Sequence, residues 1–560
     1  MRALVDADVL IVDCQATGAS PAFGHVLELG WGILRAGQPG LAGARAHWIA
    51  LPEGHRVPGP IRKITGYEPR FAADAISDSE AWRLLRADTG DAITVPTVIH
   101  YARFELAFLR EWALRLEPTA PFPFDTVCVH AVAQRLYPNL PRQSIRALAG
   151  FLGYSLDLTR RSLGHVEATG FVWEKLRGEL VARGIVSWEA LLAFVAERAP
   201  RARPPAGTKK PKYPIAPERY RTLPDAPGVY RLLRSNGDVV YVGKATSLKR
   251  RVTSHFIGKN GTPLAPEMLT QVSDIAVTVV ASALEAALLE NESIKALRPP
   301  YNVQLTTTDV PVWYCARTFA SAVTAPDEQH PIGPLPSELS LRPIAALIAL
   351  AAGGAPAESL RSEAVGVSAL FTPDEVVFLA GWAELLGRHP ELAAGGVSPR
   401  RRVLDLAKKL LVLGVAPEAE ASTPGDASGT RAWDAERVAR HVERALVQAY
   451  RAWRRAHFFT LLHDSDVVYR EPGGAHLRLL RLRDGALRTS SDAPPSHAPE
   501  TRLSTDVDAR PAFDRSKYDR LRVLTTELKR IVRDGGTVAV HWGPRRQLPA
   551  RWLPGALAAT

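Results

Sequence analysis

Cysteine is scarce in this chain. Its 560 residues contain three, Cys14, Cys128 and Cys315, far apart and without the spacing of metal ligands. That excludes a disulfide framework and speaks against a zinc site. No apolar run is long enough to cross a bilayer, and the opening stretch MRALVDADVLIVD lacks the charged, apolar and small-residue order of a signal peptide. The expected location is the cytoplasm. Acidic residues are in short supply too, with 58 Asp and Glu against 70 Lys and Arg for a formal charge of +12. The deficit is local: between Arg201 and Asn260 there are 14 Lys and Arg against 3 Asp and Glu, a net +11. A polyanionic partner fits that placement, and phosphate contacts of this kind weaken steeply with salt. At 560 residues the chain is too long for one core and predicts three or four domains; 46% hydrophobic and 23% charged residues place it with ordinary soluble proteins.

What is present is concentrated between Gly228 and Val303. The first half of this stretch alternates apolar and polar residues, turns at Asn236-Gly237 and resumes with Val239, Val240, Tyr241 and Val242, which predicts a β-hairpin with a tight primed turn. Gly243 ends the second strand, and Leu248 to Phe256 predicts a helix whose other positions are mostly basic or hydroxylated. Leu284, Ala287, Leu288 and Ile294 recur at helical spacing, and Pro299-Pro300 stops that helix before Tyr301-Asn302. Glu290 lies between apolar residues on it. A carboxylate there must be solvated, paired or bound to a cation, because burying it alone is costly. From the residues alone, an ion pair with Arg or Lys and a metal both stand.

Six residues carry a resemblance: Tyr230, Tyr241, Lys244, Arg251, Glu290 and Asn302. The triplets Gly228-Val229-Tyr230 and Tyr241-Val242-Gly243, the run Leu248-Lys249-Arg250-Arg251 and the segment from Glu285 to Val303 resemble the GIY-YIG nuclease domain of the excision-repair subunit UvrC and its relative Cho. The resemblance implies a small α/β domain over 218–310 that hydrolyses phosphodiesters. Such chemistry needs an aligned water, an acceptor for its proton, and stabilisation of charge building on phosphorus and the leaving oxygen. The family's one divalent ion would sit on Glu290, and a lone carboxylate with several remaining waters suits Mg²⁺, with Mn²⁺ as the substitute. Tyr230 would orient or deprotonate the water with Tyr241 and Lys244 close to it, Arg251 would hold the scissile phosphate, and Asn302 would brace the site. A tyrosine with a pKa of ~10 is a poor base unless a metal or cation lowers it, so the proton acceptor stays open. Lys249, Arg250 and His255 are the expected nucleic-acid contacts. His255 stands four residues after the arginine, where many UvrC domains carry a tyrosine.

Upstream, the apolar strand Val9 to Val12 runs into Asp13-Cys14-Gln15-Ala16-Thr17-Gly18. It is followed by His25 to Trp31, by His100-Tyr101-Ala102-Arg103-Phe104-Glu105, by Phe124-Asp125-Thr126, and by Arg160-Arg161-Ser162-Leu163-Gly164-His165. This order resembles the DnaQ-like (DEDD) 3′-to-5′ exonucleases, which have a ribonuclease-H-like fold. Members use four carboxylates to hold two metals, an arrangement that stabilises both attacking and leaving oxygens. Here the first motif reads Asp13-x-Gln15, the second motif's aspartate is Glu105, the third motif's histidine is Arg160 and its aspartate is His165. The loss of two negative charges implies a domain that binds without cutting. The alternative is a rearranged site in which Asp13, Glu105 and His165 hold one transition metal.

The expected organisation is α/β and multidomain. Residues 1–198 form the ribonuclease-H-like exonuclease fold, 199–217 a basic proline-rich linker, and 218–310 the GIY-YIG domain. A helical region over 311–414, with a capping box at Thr372-Pro373-Asp374-Glu375, precedes a flexible linker over 415–432. A C-terminal α+β region over 433–560 is expected to hold two amphipathic helices, a β-ribbon near Asp466 to Leu487, a flexible stretch near Thr489 to Arg510 and a last strand from Val538 to Trp542. UvrC's cysteine cluster, second nuclease and tandem helix-hairpin-helix are not recognisable. The resemblance therefore implies one incision in DNA, as in Cho, within SOS-linked nucleotide excision repair and with a damage-loading partner such as UvrB. Two other readings stand beside it: a bifunctional nuclease with active 3′-to-5′ trimming, and a non-catalytic DNA-binding scaffold.

Overall fold

The structure is a computed structural model that describes residues 3–90, 94–155, 160–197, 213–257, 266–302, 310–368, 371–415, 433–492 and 511–541, with the backbone alone at 489–492. The expected linkers at 199–212 and 416–432, and residues 493–510 of the flexible stretch, lie outside the described residues. The chain divides into two compact units, Met1–Ala281 with Leu297–Val303, and Ser282–Ala296 with Gln304–Thr560. Among the described residues no helix is long and apolar enough to cross a membrane.

The first unit opens with five strands, β1 (Val9–Ala16), β2 (Val26–Leu34), β3 (Leu41–Trp48), β4 (Val95–Ile99) and β5 (Phe124–Cys128), in the order β3-β2-β1-β4-β5. β1 is antiparallel to β2 and parallel to β4, so the sheet is mixed. Both central strands are buried almost throughout, as expected where helices cover both faces and the residues read as an apolar run. Helices Ala102–Leu116 and Ser162–Ala182 present the second and third motifs to the end of β1.

A second, antiparallel sheet has the order β7-β6-β8, from β6 (Gly228–Leu233), β7 (Val239–Ala245) and β8 (Asp274–Val279). The hairpin forms as expected but without the expected primed turn: Gly237 N donates to the Arg234 carbonyl at 3.1 Å, which puts Ser235 and Asn236 at the turn's centre, and of these three residues Gly237 alone has positive φ, +89, a conformation that glycine adopts without penalty. Its core is built from Tyr230, Leu232, Val240, Leu248, Val252 and Phe256. The hairpin turn is held by the domain of the five-stranded sheet, since Asn236 Nδ2 donates to the Gly153 carbonyl at 3.0 Å.

In the second unit, the region expected to be helical opens instead with three short strands, β9 (Trp313–Cys315), β10 (Ala322–Val323) and β11 (Ile332–Leu335), in the order β10-β9-β11. Four helices between Arg342 and Val412 then pack with Ala435–Leu462 around one apolar core. The capping box is displaced. Asp374 is the cap and accepts from Val377 N at 2.9 Å, leaving Pro373 outside the helix, while Thr372 Oγ1 turns back to the Ser368 carbonyl at 3.4 Å. A carboxylate at that position also meets the positive end of the helix dipole, which a threonine cannot match. The expected ribbon and last strand join in one antiparallel sheet, β14-β13-β12-β15, from β12 (Ser465–Arg470), β13 (Arg478–Arg483), β14 (Ala486–Asp492) and β15 (Thr537–His541). Helix Arg515–Arg533 covers it through Tyr518, Leu521, Leu524 and Leu528.

Candidate nuclease sites

In the hairpin, the register sets Tyr230 opposite Gly243 and Leu232 opposite Tyr241. Directly opposed residues share a face, so the tyrosine of one triplet lies over the glycine of the other. A Cβ on Gly243 would stand 2.5 Å from both Cζ and Oη of Tyr230 and 2.9 Å from Tyr241 Cε1. Glycine is thus the residue that lets the fully buried Tyr230 ring lie flat on β7. The rings of Tyr230 and Tyr241 are 6.1 Å apart.

The arginine helix, Leu248–Ile257, starts where Ser247 Oγ accepts from Arg250 N at 3.2 Å, and it buries Leu248, Val252 and Phe256. Its other positions carry the cations. Lys249, Arg250 and Arg251 are exposed. His255, expected among the nucleic-acid contacts, is turned inward instead: its Nε2 lies 2.7 Å from Tyr230 Oη. Burial, and then the positive charge of Arg251, push its pKa down to about 4. The imidazole is therefore neutral at pH 7, and in the tautomer protonated at Nδ1 it accepts the tyrosine's hydrogen.

Asn302 pairs both of its amide groups with one residue of the edge strand β7. Its Oδ1 accepts from Val242 N at 2.9 Å and its Nδ2 donates to Val242 O at 2.9 Å. The carboxamide thereby stands in for a neighbouring strand and holds β7 between Tyr241 and Gly243. Lys244 is exposed and lies opposite Val229 in the ladder, so it leaves β7 from the face opposite Tyr241 and Gly243.

Glu290 lies in the middle of the helix Ala283–Leu297, is partly exposed, and belongs to the second unit. Among the described residues no group of three or more His, Cys, Asp or Glu is arranged to hold a metal ion. A cation on Glu290 would therefore keep most of its waters, which fits the ligand chemistry of Mg²⁺.

The exonuclease-type motifs meet at the end of β1. His165 Nδ1 is 3.4 Å from Asp13 Oδ1. Burial lowers the His165 pKa, but the charge of Asp13 and the hydrogen bond to it outweigh that, so the histidine's pKa is raised. Glu105 is buried, and burial together with the charge of Asp13 holds its carboxyl well above the usual range, against a hydrogen bond from the Cys14 backbone. The cluster thus sets a histidine and a glutamine beside two carboxylates, less negative charge for gathering divalent ions than four carboxylates would supply. Gln15 Nε2 donates to the Arg160 carbonyl, and Asp13 Oδ2, Gln15 Oε1, Glu105 Oε2 and His165 Nε2 are buried without a hydrogen-bond partner. Arg160 itself is exposed. Sequence reasoning missed Glu28, fully buried and holding Arg161 and the Ser162 backbone N–H at 2.9 Å, which docks the third-motif helix on β2. It also missed Tyr101, which has φ 59 and stacks on His130 with ring centroids 4.4 Å apart.

Residues 226–303 match the family described as the UvrC-like GIY-YIG domain. A protein of Mycobacterium tuberculosis (strain CDC 1551 / Oshkosh) named as a bifunctional exonuclease/endonuclease is 28% identical over 311 residues, which cover 53% of this chain and 45% of that protein. UvrABC system protein C of Nitrosomonas eutropha is 51% identical over 82 residues, 15% of this chain and 14% of the relative. Among solved structures, the GIY-YIG N-terminal endonuclease domain of UvrC from Thermotoga maritima, bound to its catalytic magnesium, is 31% identical, with 15% of this chain and 93% of that chain covered and a TM-score of 0.14. The chain spans less than half the length of the curated relatives it matches.

Proposed function

We propose that this chain, which joins an exonuclease-type domain to a UvrC-like GIY-YIG domain, is a divalent-metal-dependent DNA endonuclease. It makes a single-strand incision in nucleotide excision repair, and its exonuclease-type domain binds nucleic acid without cutting it. The observation that carries the reading is the Tyr230–His255 hydrogen bond of 2.7 Å, set over Gly243 on a strand pinned by Asn302.

That arrangement is suited to fixing the tyrosine hydroxyl. Tyr230, donating to neutral His255 Nε2, orients the attacking water; the water oxygen bonds to phosphorus as the bond to the leaving oxygen breaks, and the proton that the water loses ends on the departing oxygen through solvent. Arg251 binds the non-bridging oxygens of the scissile phosphate, and Tyr241 packs beside Tyr230 and restricts the water's position. When bound at Glu290, Mg²⁺ or Mn²⁺ supplies Lewis-acid stabilisation of the charge that develops on the phosphoryl oxygens. Lys249 and Arg250 contact flanking phosphates. Lys244 completes the positive field at the end of β7.

In the exonuclease-type domain the replacement of two of the four carboxylates by Gln15 and by His165, which turns to Asp13, supports binding over two-metal hydrolysis. The reading includes a cytoplasmic location, an SOS-linked repair setting and a damage-loading partner such as UvrB. These rest on the likeness to proteins named as UvrABC system protein C.

The test is nicking of supercoiled and of lesion-bearing DNA with Mg²⁺ or Mn²⁺, comparing the full chain with Glu290→Ala and Arg251→Ala. Loss of one group that stabilises the transition-state charge is expected to lower the rate on the order of 10²-fold or more. Equal nicking by all three proteins overturns the reading.

A further inference from the structure

The helix that carries Glu290 groups with the second unit, although it follows β8 of the first in sequence. Its contacts there are specific. At its start Ser282 Oγ lies 2.7 Å from Tyr469 Oη, and Arg478 Nε donates to Glu285 Oε1 at 2.8 Å. At its end Lys295 Nζ donates to Asp519 Oδ2 at 2.8 Å, with side chains only 9% and 2% exposed, and Arg520 Nε donates to Glu292 Oε1 at 3.2 Å. Leu284 and Leu288 enter the apolar core that also holds Tyr469, Leu521 and Leu524.

These contacts share one side of the helix. At about 100° per residue, Leu284, Glu285, Leu288, Glu292 and Lys295 fall within an arc of about 100°, and Glu290 lies about 140° round from Glu285. The second unit therefore fixes both the rotation and the axial position of the helix, and it turns Glu290 away from the contact arc. The Lys295–Asp519 pair makes that hold stiff. Asp519 also holds Arg515 at 3.3 Å and Lys295 also donates to the Arg515 carbonyl at 3.3 Å, so separating the pair would leave the buried ammonium with a carbonyl in place of a carboxylate, at a cost that resists small shifts of the helix.

We propose that the C-terminal α+β region is the seat of the metal-bearing helix, and that Arg478 and Asp519 are positioning residues that set the presentation of Glu290 and hence the divalent-ion affinity of the nuclease. This rests on the reading that Glu290 holds the ion. It gives residues 465–541 a role in the reaction: a perturbation of that sheet or of helix Arg515–Arg533 is transmitted to the metal site through one rigid helix.

Two measurements on the full chain test the proposal. In native-state hydrogen exchange, backbone amides 286–296 should open with the same free energy as β12, β13 and helix Arg515–Arg533. If they open instead with β6 and β7, the proposal is overturned, and no variant is needed for that result. In the second, Mn²⁺ binding is followed by the EPR signal of the free ion, alongside nicking as a function of Mg²⁺. The double variant Arg478→Ala/Asp519→Ala should weaken Mn²⁺ binding tenfold or more and raise the half-saturating Mg²⁺ concentration by a similar factor, with a plateau rate within threefold of the parent. Arg478→Lys, which keeps a cation at Glu285, should stay within threefold of the parent in both. Glu290→Ala separates the two levels. If Glu290→Ala still binds Mn²⁺ and nicks, the assignment of the ligand fails. If Glu290→Ala loses both while the double variant matches the parent in both, the positioning role fails.

Discussion

Gly243→Ala is the smallest change that reaches the chemistry without removing a reacting group. The new methyl would lie 2.5 Å from Cζ and Oη of Tyr230. Carbon contacts are comfortable at roughly 3.5–4.0 Å, so the ring must retreat by about 1 Å. Tyr230 is 0% exposed and sits in the hairpin core, so it has no solvent to swing into. The retreat must be taken up by β6 or by its neighbours, at an overpacking cost of about 1–3 kcal/mol. The same shift stretches the 2.7 Å contact between Tyr230 and His255 to the limit of hydrogen bonding or past it. A 1 Å misplacement of a reacting group lowers rates by about 10²-fold, equivalent to ~2.7 kcal/mol in the barrier. Urea unfolding followed through the first unit should show the stability loss, and single-turnover nicking at saturating protein and Mg²⁺ should show the rate loss. Gly228→Ala provides the comparison. Its Cβ would meet the Thr278 carbonyl at 2.4 Å and Leu248 Cδ1 at 2.7 Å, so it strains the same sheet through different atoms. It should cost stability without the full rate loss. A Gly243→Ala protein that nicks at the parent rate would refute the argument, because the hydroxyl's place beside His255 would then not matter.

Three further outcomes are expected. His255 has a folded pKa of about 4 against an ordinary 6.5, so the unfolded chain binds more protons between those values and stability falls as pH drops through that window, by up to ~3 kcal/mol. In His255→Gln this part of the pH dependence should vanish, as measured by the difference between the two proteins' unfolding free energies at pH 7 and pH 4. Lys249 and Arg250 are exposed on the arginine helix, and each neutralised phosphate contributes about 0.9 to the salt slope. Lys249→Ala/Arg250→Ala should therefore lower the slope of log affinity against log salt by about two for duplex DNA, and an unchanged slope means neither touches a phosphate. In the exonuclease-type domain, 3′-labelled oligonucleotides should show no trimming in Mg²⁺ by a Glu290→Ala chain, and trimming that disappears in Glu290→Ala/Asp13→Ala would show that the Asp13 cluster cuts after all.

The hairpin was legible because two local signals agreed, a period of two in the apolar residues and an Asn-Gly pair that marks the turn, but the turn type was not, since Gly237 takes positive φ and Asn236 does not. The tyrosine-glycine pairing was legible only as a motif, since the reason for it, one ring lying on the opposing backbone, depends on register. His255 was misplaced for a related reason. At 100° per residue His255 falls about 40° from exposed Arg251 and about 60° from buried Val252, at the border of the buried stripe, so the helical period leaves its direction open. The contacts of Glu285 with Arg478 and of Lys295 with Asp519 join residues 193 and 224 apart, and no local pattern records them. The small sheet over 313–335 was missed because its strands are two to four residues long, too short to show alternation.

The two proposed nuclease sites in this chain differ in how much charge each must gather. A two-metal exonuclease site holds four carboxylates close together at the end of a buried strand. Without metal they repel one another, and here burial first, and then the charge of Asp13, raise the pKa of Glu105. In that setting Gln15 and His165 relieve repulsion: the histidine pairs with Asp13 and the glutamine turns to a backbone carbonyl. The second site concentrates no negative charge. It needs one carboxylate on a helix, a tyrosine lying on glycine and an asparagine standing in for a strand, and each of these is also part of the local packing. Losing Gly243 or Asn302 would cost stability as well as activity, whereas losing two of the first site's carboxylates lowers an electrostatic cost.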